Sequence, residues 1–504
     1  MTMNQTAPAE GSDITAISAT PQQCDLLVIG AGPAGLAAAT LAAQHGVDTI
    51  LLDEQPAPGG QIYRAITTTP VQNRDVLGAD YWHGETLLAP LAASGARHVP
   101  QATVWAVSRV SEEPADGFEV AYSVSAQFGN SQSANSQARL ITARQLILAT
   151  GAHERPFAIP GWTLPGVLTA GAAQILLKSA AVVPDGRTVL AGCGPLLYLI
   201  AWQYLNAGVN VDALLDTAPA GNLMRALPHA LGFIGSPYLG KGLKLLRAVK
   251  ANIPIVKHVT SLQALGEATL TAVRYSARGK TCELPADQLL LHQGVVPNVN
   301  LSRALGAEHV WNAQLDCWQP HTDDWGATSV PGVRIAGDGA GIAGALAAEH
   351  RGRLAALAAA HALGRIDATQ RNAQARAHRR ALARAVRGRA FFDALYRTAP
   401  HSRRPTGETI VCRCEEVTAA QIRATVKLGC SGPNQMKSFL RCGMGPCQGR
   451  FCGLTVAEII AEERGVAVPE VGYYRLRFPI KPLTLGELAG LPQTDDARAA
   501  VVRL

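Results

Sequence analysis

The chain has no apolar run of about 18 residues, the least that crosses a bilayer as a helix, so no transmembrane helix is expected. Residues Met1 to Gln23 are polar and contain Pro, Ala and Ser, and they lack the basic start and apolar run of a secretory leader. The expected address is therefore the cytoplasm, where thiols stay reduced; docking at the inner membrane through an electron acceptor remains compatible. No Cys-x-x-Cys pair occurs, which leaves a thioredoxin-type dithiol couple without support. No nucleic-acid module accompanies the net charge of +7, and no nucleic-acid partner is expected. That charge is local, because ten arginines and a single acid, Asp393, lie between Arg371 and Arg404, and the remainder is slightly acidic. The alternation of these arginines with Ala and Leu reads as a helix with a solvated or subunit-docking face, and Phe391, Phe392 and Tyr396 read as packing residues.

With 504 residues, 48% of them hydrophobic and 16% charged, the chain can bury a sizeable core in about three domains. Among its 49 glycines a group near the start has a full local context. An apolar strand ending at Gly30 leads into Gly30-Ala-Gly32-Pro33-Ala34-Gly35, then a helical stretch from Leu36, then a strand from Val47 to Leu52 ending at Asp53 and Glu54. Gly30 permits the tight turn, Gly32 lets backbone approach a pyrophosphate, and Gly35 lets helix and strand pack closely. The free N–H groups at the helix start suit phosphates. An acid after the second strand accepts from ribose hydroxyls; Asp53 is the first choice and Glu54 the alternative.

Two later segments direct this unit toward FAD. One is the strand Leu146 to Ala149 ending in Thr150-Gly151; the other is Pro331-Gly-Val-Arg-Ile-Ala ending in Gly337-Asp338. With these motifs, residues 22–365 resemble the flavoproteins built of two dinucleotide-binding domains. The resemblance implies that Asp338 and the following helix N-terminus hold the ribityl and pyrophosphate part of FAD, and that Gly60 and Gln61 lie near the isoalloxazine. Between the two FAD halves, Gly192-Cys-Gly194 opens a second unit closed by Asp216. In the family this insert binds NAD(P)H. Here Leu197 stands where a small residue is usual, and His292-Gln-Gly294 replaces the usual Ala-Thr-Gly. The expectation is a Rossmann-like domain retained as scaffold or interface, with NAD(P)H not a cofactor, although Asp216 keeps a reductase reading open.

Six of ten cysteines fall between Cys412 and Cys452. Reduced, clustered thiols point to a metal or an iron–sulfur cluster, and the glycines around Cys447 let backbone N–H groups aim at sulfurs. Spacing leaves a choice, since Cys442/Cys447 and Cys447/Cys452 are equally separated. The opening Cys-Arg-Cys-Glu and the close Gly-Met-Gly-Pro-Cys-Gln-Gly-Arg-Phe-Cys resemble the small helical 2Fe-2S domain of the bacterioferritin-associated-ferredoxin type. That resemblance implies Cys412, Cys414, Cys447 and Cys452 as ligands, with Cys430 and Cys442 as bystanders. Structural zinc is the main alternative, since Zn²⁺ also accepts four thiolates.

The order of these parts resembles the larger flavoprotein chain of opine (octopine or nopaline) oxidases, the flavin subunit of hydrogen cyanide synthase, and dye-linked D-hydroxyproline dehydrogenases. The expected fold is α/β: two Rossmann-like domains, the second inserted in the first, plus a small helical C-terminal domain. Expected boundaries are a disordered tail at 1–22, FAD halves at 23–170 and 299–365, and the insert at 171–298. A basic helical linker at 366–404, the cluster domain at 405–465 and an extended tail at 466–504 follow. The resemblance implies an electron-transferring subunit of an opine or amino-acid dehydrogenase. A second flavoprotein subunit would oxidise the C–N bond, a small third subunit is possible in such complexes, and a quinone or cytochrome would accept the electrons. No catalytic residue is assigned; His153 and Glu154 are visible near the expected flavin, but a structural histidine and a salt bridge are the plainer readings.

Overall fold

The computed structural model describes residues 22–111, 113, 116–124, 137–236 and 238–491. The expected disordered tail, apart from Gln22, and the last residues of the C-terminal tail lie outside them. The architecture is α/β with two dinucleotide-binding units, as the sequence predicts.

The first sheet has seven strands. Arg97–Val99, Thr49–Leu52, Gln22–Ile29 and Gln137–Leu148 lie side by side in parallel. One edge of the long Gln137–Leu148 strand is shared. Its first half pairs antiparallel with Phe118–Val124, and its last three residues pair in parallel with Val333–Ile335. Thus a strand more than 180 residues downstream completes the sheet, and Gly337-Asp338 arrives beside Thr150-Gly151. Unbroken apolar runs form the central strands because both faces are covered. Leu26 and Val28 point into one core with helices Pro33–Gln44 and Ala345–Ala362; Leu27 and Ile29 point into another with Val104, Phe118 and Val120.

The second sheet is wholly parallel, in the order Ile255–Lys257, Ala213–Asp216, Thr188–Cys193, Gln288–Gln293, Val167–Thr169. It includes Val167–Thr169, a few residues ahead of the expected start of the insert. Its helix Pro195–Asn206 shares one continuous core with the first unit, through Leu190, Leu197 and Leu214.

The basic linker forms helix Ala368–Val386, started by Asp367, whose carboxylate accepts the Gln370 N–H. It packs along Ala345–Ala362 with Ala375 buried, and the guanidiniums of Arg371 and Arg379 stack on Trp325 at 4.4 and 4.5 Å. One face of the arginine-rich helix is therefore docked on its own chain. The cysteine-bearing unit then folds around helices Ala419–Lys427, Pro433–Leu440 and Gly453–Arg464, with Ile422, Met436, Ile459 and Ile460 fully buried. The tail runs back across the first unit, burying Ile480 in its core and pairing Lys481 with Glu54 at 2.6 Å. Among the described residues no helix is long and apolar enough to cross a membrane.

Candidate cofactor sites

The first dinucleotide turn is built as its glycines require. Gly30 has φ of +105°, and a Cβ there would lie 2.5 Å from the Ala149 carbonyl oxygen. A Cβ on Gly35 would come within 1.8 Å of the Gly30 carbonyl oxygen, so only glycine lets the helix sit this close. Gly32 is the residue before the helix, Pro33 is its first residue and Ala34 its second, which leaves the first N–H groups of the helix free for an anion. Gly60 lies against Gly32, with its loop turned toward the same mouth. Gln61 is exposed.

The two candidate ribose acids differ in place. Asp53 is buried, and its carboxylate accepts the N–H of Ala31 and, at 2.7 Å, that of Gln55. Burial pushes its pKa up while those two donors pull it down. Glu54 is more exposed and tied to Lys481; burial would raise it, but the lysine charge leaves it below the ordinary carboxylate range. Asp53 thus faces the glycine turn, and Glu54 is held by the tail. Across the site, Asp338 accepts from the N–H groups of Ala343 and Gly344 at 2.8 and 3.0 Å, at the start of helix Ala345–Ala362. Thr150 and Gly151 lie at the end of the central strand between these two cradles.

Three cations that motif reading does not reveal also reach this region. Arg64 is buried beside Asp53 and Glu54, and its Nε has no hydrogen-bond partner. Arg450, from the cysteine-bearing unit, likewise has a buried, unpartnered Nε and contributes its charge to Glu54 and His153. Lys178, from helix Ala170–Ala180, is 2% exposed. Its Nζ donates to the carbonyls of Gln61 and Ile62 at 3.2 and 2.9 Å and to Gln174 at 3.0 Å, and burial pushes it down to about 7. Unpartnered buried donors, two helix N-termini and an acid beside the first glycine turn suit an anionic dinucleotide such as FAD.

The second unit has the same plan with its polar groups already used. Asp216 accepts from Tyr198 Oη at 2.7 Å and from the Ala218 N–H at 2.9 Å. The His292 ring lies over Gly194, within 3.1 Å of where a Cβ would stand, and its Nδ1 is 2.7 Å from Glu154. The linker covers the turn: the Cys193 thiol donates to the Tyr396 carbonyl at 3.3 Å, and Asn222 donates to the carbonyls of Leu395 and Arg397. Leu197 is fully buried.

The cysteines converge in two groups. The sulfurs of Cys412, Cys442 and Cys452 all lie within 4.8 Å of one another and are buried. Cys414 is exposed and its thiol contacts that of the half-buried Cys447. Cys430 is separate, its thiol donating to the Gly432 carbonyl at 3.5 Å. The four expected ligands thus fall into two pairs, Cys412/Cys452 and Cys414/Cys447, and Cys442, set aside on sequence grounds with Cys430, joins the first pair. A tetrahedral metal–thiolate centre with bonds of about 2.3 Å brings sulfurs to about 3.8 Å, a distance such groups can reach with small side-chain rotations. The donor set fits an iron–sulfur cluster or another thiophilic metal.

The two regions meet. His153, two residues past Gly151, stacks edge-on to Phe451 with ring centroids 6.3 Å apart, and Phe451 precedes Cys452. Both His153 ring nitrogens are out of solvent without a well-formed hydrogen bond. Burial, then the nearby Arg450 charge, pushes the imidazole down to about 4, so it is neutral at pH 7. Buried ions staple the units. Glu458 meets Arg403 at 2.5 Å, Arg404 at 3.6 Å and Arg155 at 3.9 Å, while Asp316 takes Arg397 at 3.1 Å and Arg403 at 3.4 Å. Arg155 is therefore an interdomain partner, and Glu154 pairs with His292 instead.

Comparison with known proteins agrees with this arrangement. Residues 24–364 match the pyridine nucleotide-disulphide oxidoreductase family, and residues 406–491 match the sarcosine oxidase A3 domain. The chain is 47% identical over 478 residues to the A-type subunit of an opine oxidase from Rhizobium meliloti, covering 95% of this chain and 89% of that one. It is 33% identical to hydrogen cyanide synthase subunit HcnB of Pseudomonas protegens (strain DSM 19095 / LMG 27888 / CFBP 6595 / CHA0), covering 93% and 98%. In fold it is similar to the crystal structure of an L-proline dehydrogenase from P. horikoshii, with a TM-score of 0.66 at 18% identity over 93% of this chain and 80% of that one. The chain belongs to the pyridine nucleotide-disulphide oxidoreductase family and, within it, to the group that holds the A-type subunits of opine oxidases and hydrogen cyanide synthase subunit HcnB.

Proposed function

We propose that this chain is the FAD- and 2Fe-2S-carrying subunit of a heteromeric dehydrogenase acting on the C–N bond of an opine or related amino acid. The observation that carries the proposal is the contact of His153 with Phe451, which joins the flavin-type cradle to the thiol site. The first unit would bind FAD through the N-terminal amides of helices Pro33–Gln44 and Ala345–Ala362, with Asp53 and Asp338 as the polar anchors. Gly60, Gln61, Thr150 and Gly151 would line its flavin end. Cys412, Cys414, Cys447 and Cys452 would hold the cluster. Such a pair of groups supplies two-electron uptake and one-electron release. The protein's share is to hold them close, to exclude water with Phe451, and to keep His153 uncharged between them.

The partner flavoprotein would take two electrons and two protons from the C–N bond, and water would hydrolyse the resulting imine. The relatives' names describe subunits, which supports division of labour between chains. A surface for that partner is available. Helical segments Asn222–Ala226, Leu227–His229 and Ala230–Ile234 follow one another and expose Leu223, Leu227, Leu231 and Ile234 at intervals of three or four residues, with Leu231 84% exposed. No acid occurs from Thr217 to Gly266, where Lys241, Lys244, Arg247 and Lys250 lie on the adjoining helix. An apolar partner face with an acidic rim complements it. The second dinucleotide unit is read as scaffold, since Tyr198, Glu154 and the linker occupy its Asp216, His292 and turn. The final acceptor would be a quinone or cytochrome, and the free thiols suit a cytoplasmic setting.

The test is anaerobic purification of the chain with and without its partner. Bound FAD, iron with acid-labile sulfide and an EPR signal after dithionite are expected, with reduction by octopine or nopaline only when the partner is present. One zinc and no sulfide sinks the cluster; full-rate reduction of the isolated chain by an opine sinks the division of labour.

A further inference from the structure

We propose that Cys442 is a working member of the cluster site: a third thiol at the Cys412/Cys452 end, which donates its S–H to their sulfurs and replaces either one as ligand when it is lost. The inference rests on the cluster reading above. A 2Fe-2S centre needs two thiolates on each iron. The structure offers one group of two, Cys414 and Cys447, and one group of three, Cys412, Cys442 and Cys452. Within the trio every sulfur lies within 4.8 Å of the other two, so any two of the three are placed to share one iron.

The fold holds Cys442 there by specific means. Helix Pro433–Leu440 ends in Arg441, which has φ of +57°, and Gly443 follows at φ of +89°. These two left-handed residues turn the Cys442 side chain inward, where it is fully buried. A Cβ on Gly443 would stand 2.4 Å from the Tyr474 ring, so the glycine makes room for that phenol. Tyr474 then closes the trio from the tail side, with Oη 3.9 Å from the Cys452 sulfur. Cys430 has none of this: its thiol is satisfied by the carbonyl of Gly432, two residues along. A stray buried cysteine satisfies itself locally in this way; Cys442 instead contacts Cys412 and Cys452.

The chemistry is a ligand exchange without redox change. When Cys452 is absent, the Cys442 S–H releases its proton to solvent and its sulfur forms the Fe–S bond that Cys452 made. In the native protein the S–H donates to ligand sulfurs, which stabilises the more negative reduced cluster and raises its potential.

The experiment uses the full chain purified anaerobically with its partner, assayed for iron, acid-labile sulfide, EPR of the reduced state and cluster midpoint potential. Cys442→Ala is expected to keep wild-type iron and sulfide with a more negative potential and altered g values. Cys452→Ala should keep at least half of the wild-type iron, and the Cys442→Ala/Cys452→Ala double variant less than a tenth. The proposal is overturned if Cys442→Ala matches wild type in potential and spectrum, if it loses the cluster outright, or if Cys452→Ala alone is already empty. FAD content and thermal melting of each variant report folding, and Cys442→Val serves as a volume-matched substitute should the alanine variant fail to fold. Wild-type protein holding zinc and no sulfide would overturn the cluster reading itself, an outcome distinct from the three above.

Discussion

Glu458 offers the sharpest test of how the cysteine-bearing unit is held. It sits on helix Gly453–Arg464, is 1% exposed, and faces Arg403, Arg404 and Arg155. Asp316 is the other acid in this cluster and is already shared between Arg397 and Arg403. Replacing Glu458 by Ala therefore leaves Arg403 and Arg155, both buried, facing a single acid. Breaking a buried ion pair from one side costs about 3–5 kcal/mol, because the remaining charge stays desolvated. Glu458→Gln keeps the shape and one acceptor and should cost about 1.5–3 kcal/mol, the worth of a hydrogen bond to a charged group. Glu462, one turn along, pairs with Arg404 and Arg423 at the surface, and Glu462→Gln should cost less than about 1 kcal/mol. The order Ala, Gln, then Glu462→Gln is the signature of desolvation, since a purely surface-charge account makes the three alike. The chain has more than one unit, so urea unfolding is followed by two probes, flavin fluorescence and cluster absorbance, with limited proteolysis to detect release of the C-terminal unit. The cluster probe should move to lower urea before the flavin probe. A Glu458→Ala protein within about 0.5 kcal/mol of wild type by both probes refutes the staple.

Other outcomes follow from single contacts. Asp338→Ala removes the acceptor for the amides of Ala343 and Gly344, so purified protein should lose most of its FAD while keeping iron, as read by absorbance and metal analysis. Gly35→Ala puts a Cβ 1.8 Å from the Gly30 carbonyl oxygen, and helix Pro33–Gln44 must shift, with an expected cost of about 1–3 kcal/mol and weaker FAD binding on titration. The buried Lys178, pushed down to about 7 from 10.5, is neutral in the folded chain and charged in the unfolded chain between those values. Folding stability should rise with pH across that window, and Lys178→Met should abolish the rise, which paired denaturation curves at pH 7 and 10 would reveal. Leu231→Asp on the exposed stripe should reduce partner co-purification without changing FAD or iron content; unchanged co-purification would remove that surface from the assembly.

The two halves of the candidate site were unequally legible. The Gly30–Asp53 unit could be read because its chemistry is local: turn, helix start and acid fall within about two dozen residues, and each residue type has a backbone reason to be there. Asp338 was legible as a Gly-Asp motif, but its arrival beside Gly151 depends on the Val333–Ile335 strand pairing at Leu146–Leu148. Arg64, Arg450 and Lys178 carried no signal, since a cation in a loop or helix is ordinarily solvated. What makes these three notable is burial, which comes from segments distant in sequence.

Sequence alone determined the fold class, the first nucleotide turn and the presence of a thiol site, because strand and helix periodicity, glycine sterics and cysteine density are properties of short segments. It also determined the family, through motifs in a fixed order. Tertiary structure decided which groups are free and which are spent. Asp216 looks like a ribose acid in the chain but is held by Tyr198, and Arg155 looks like a local ion pair but reaches Glu458. Cys430 and Cys442 look alike in spacing, yet only one turns toward Cys412 and Cys452. Hydrogen-bond and ion-pair partners are chosen by packing between distant segments, and no local pattern records that choice.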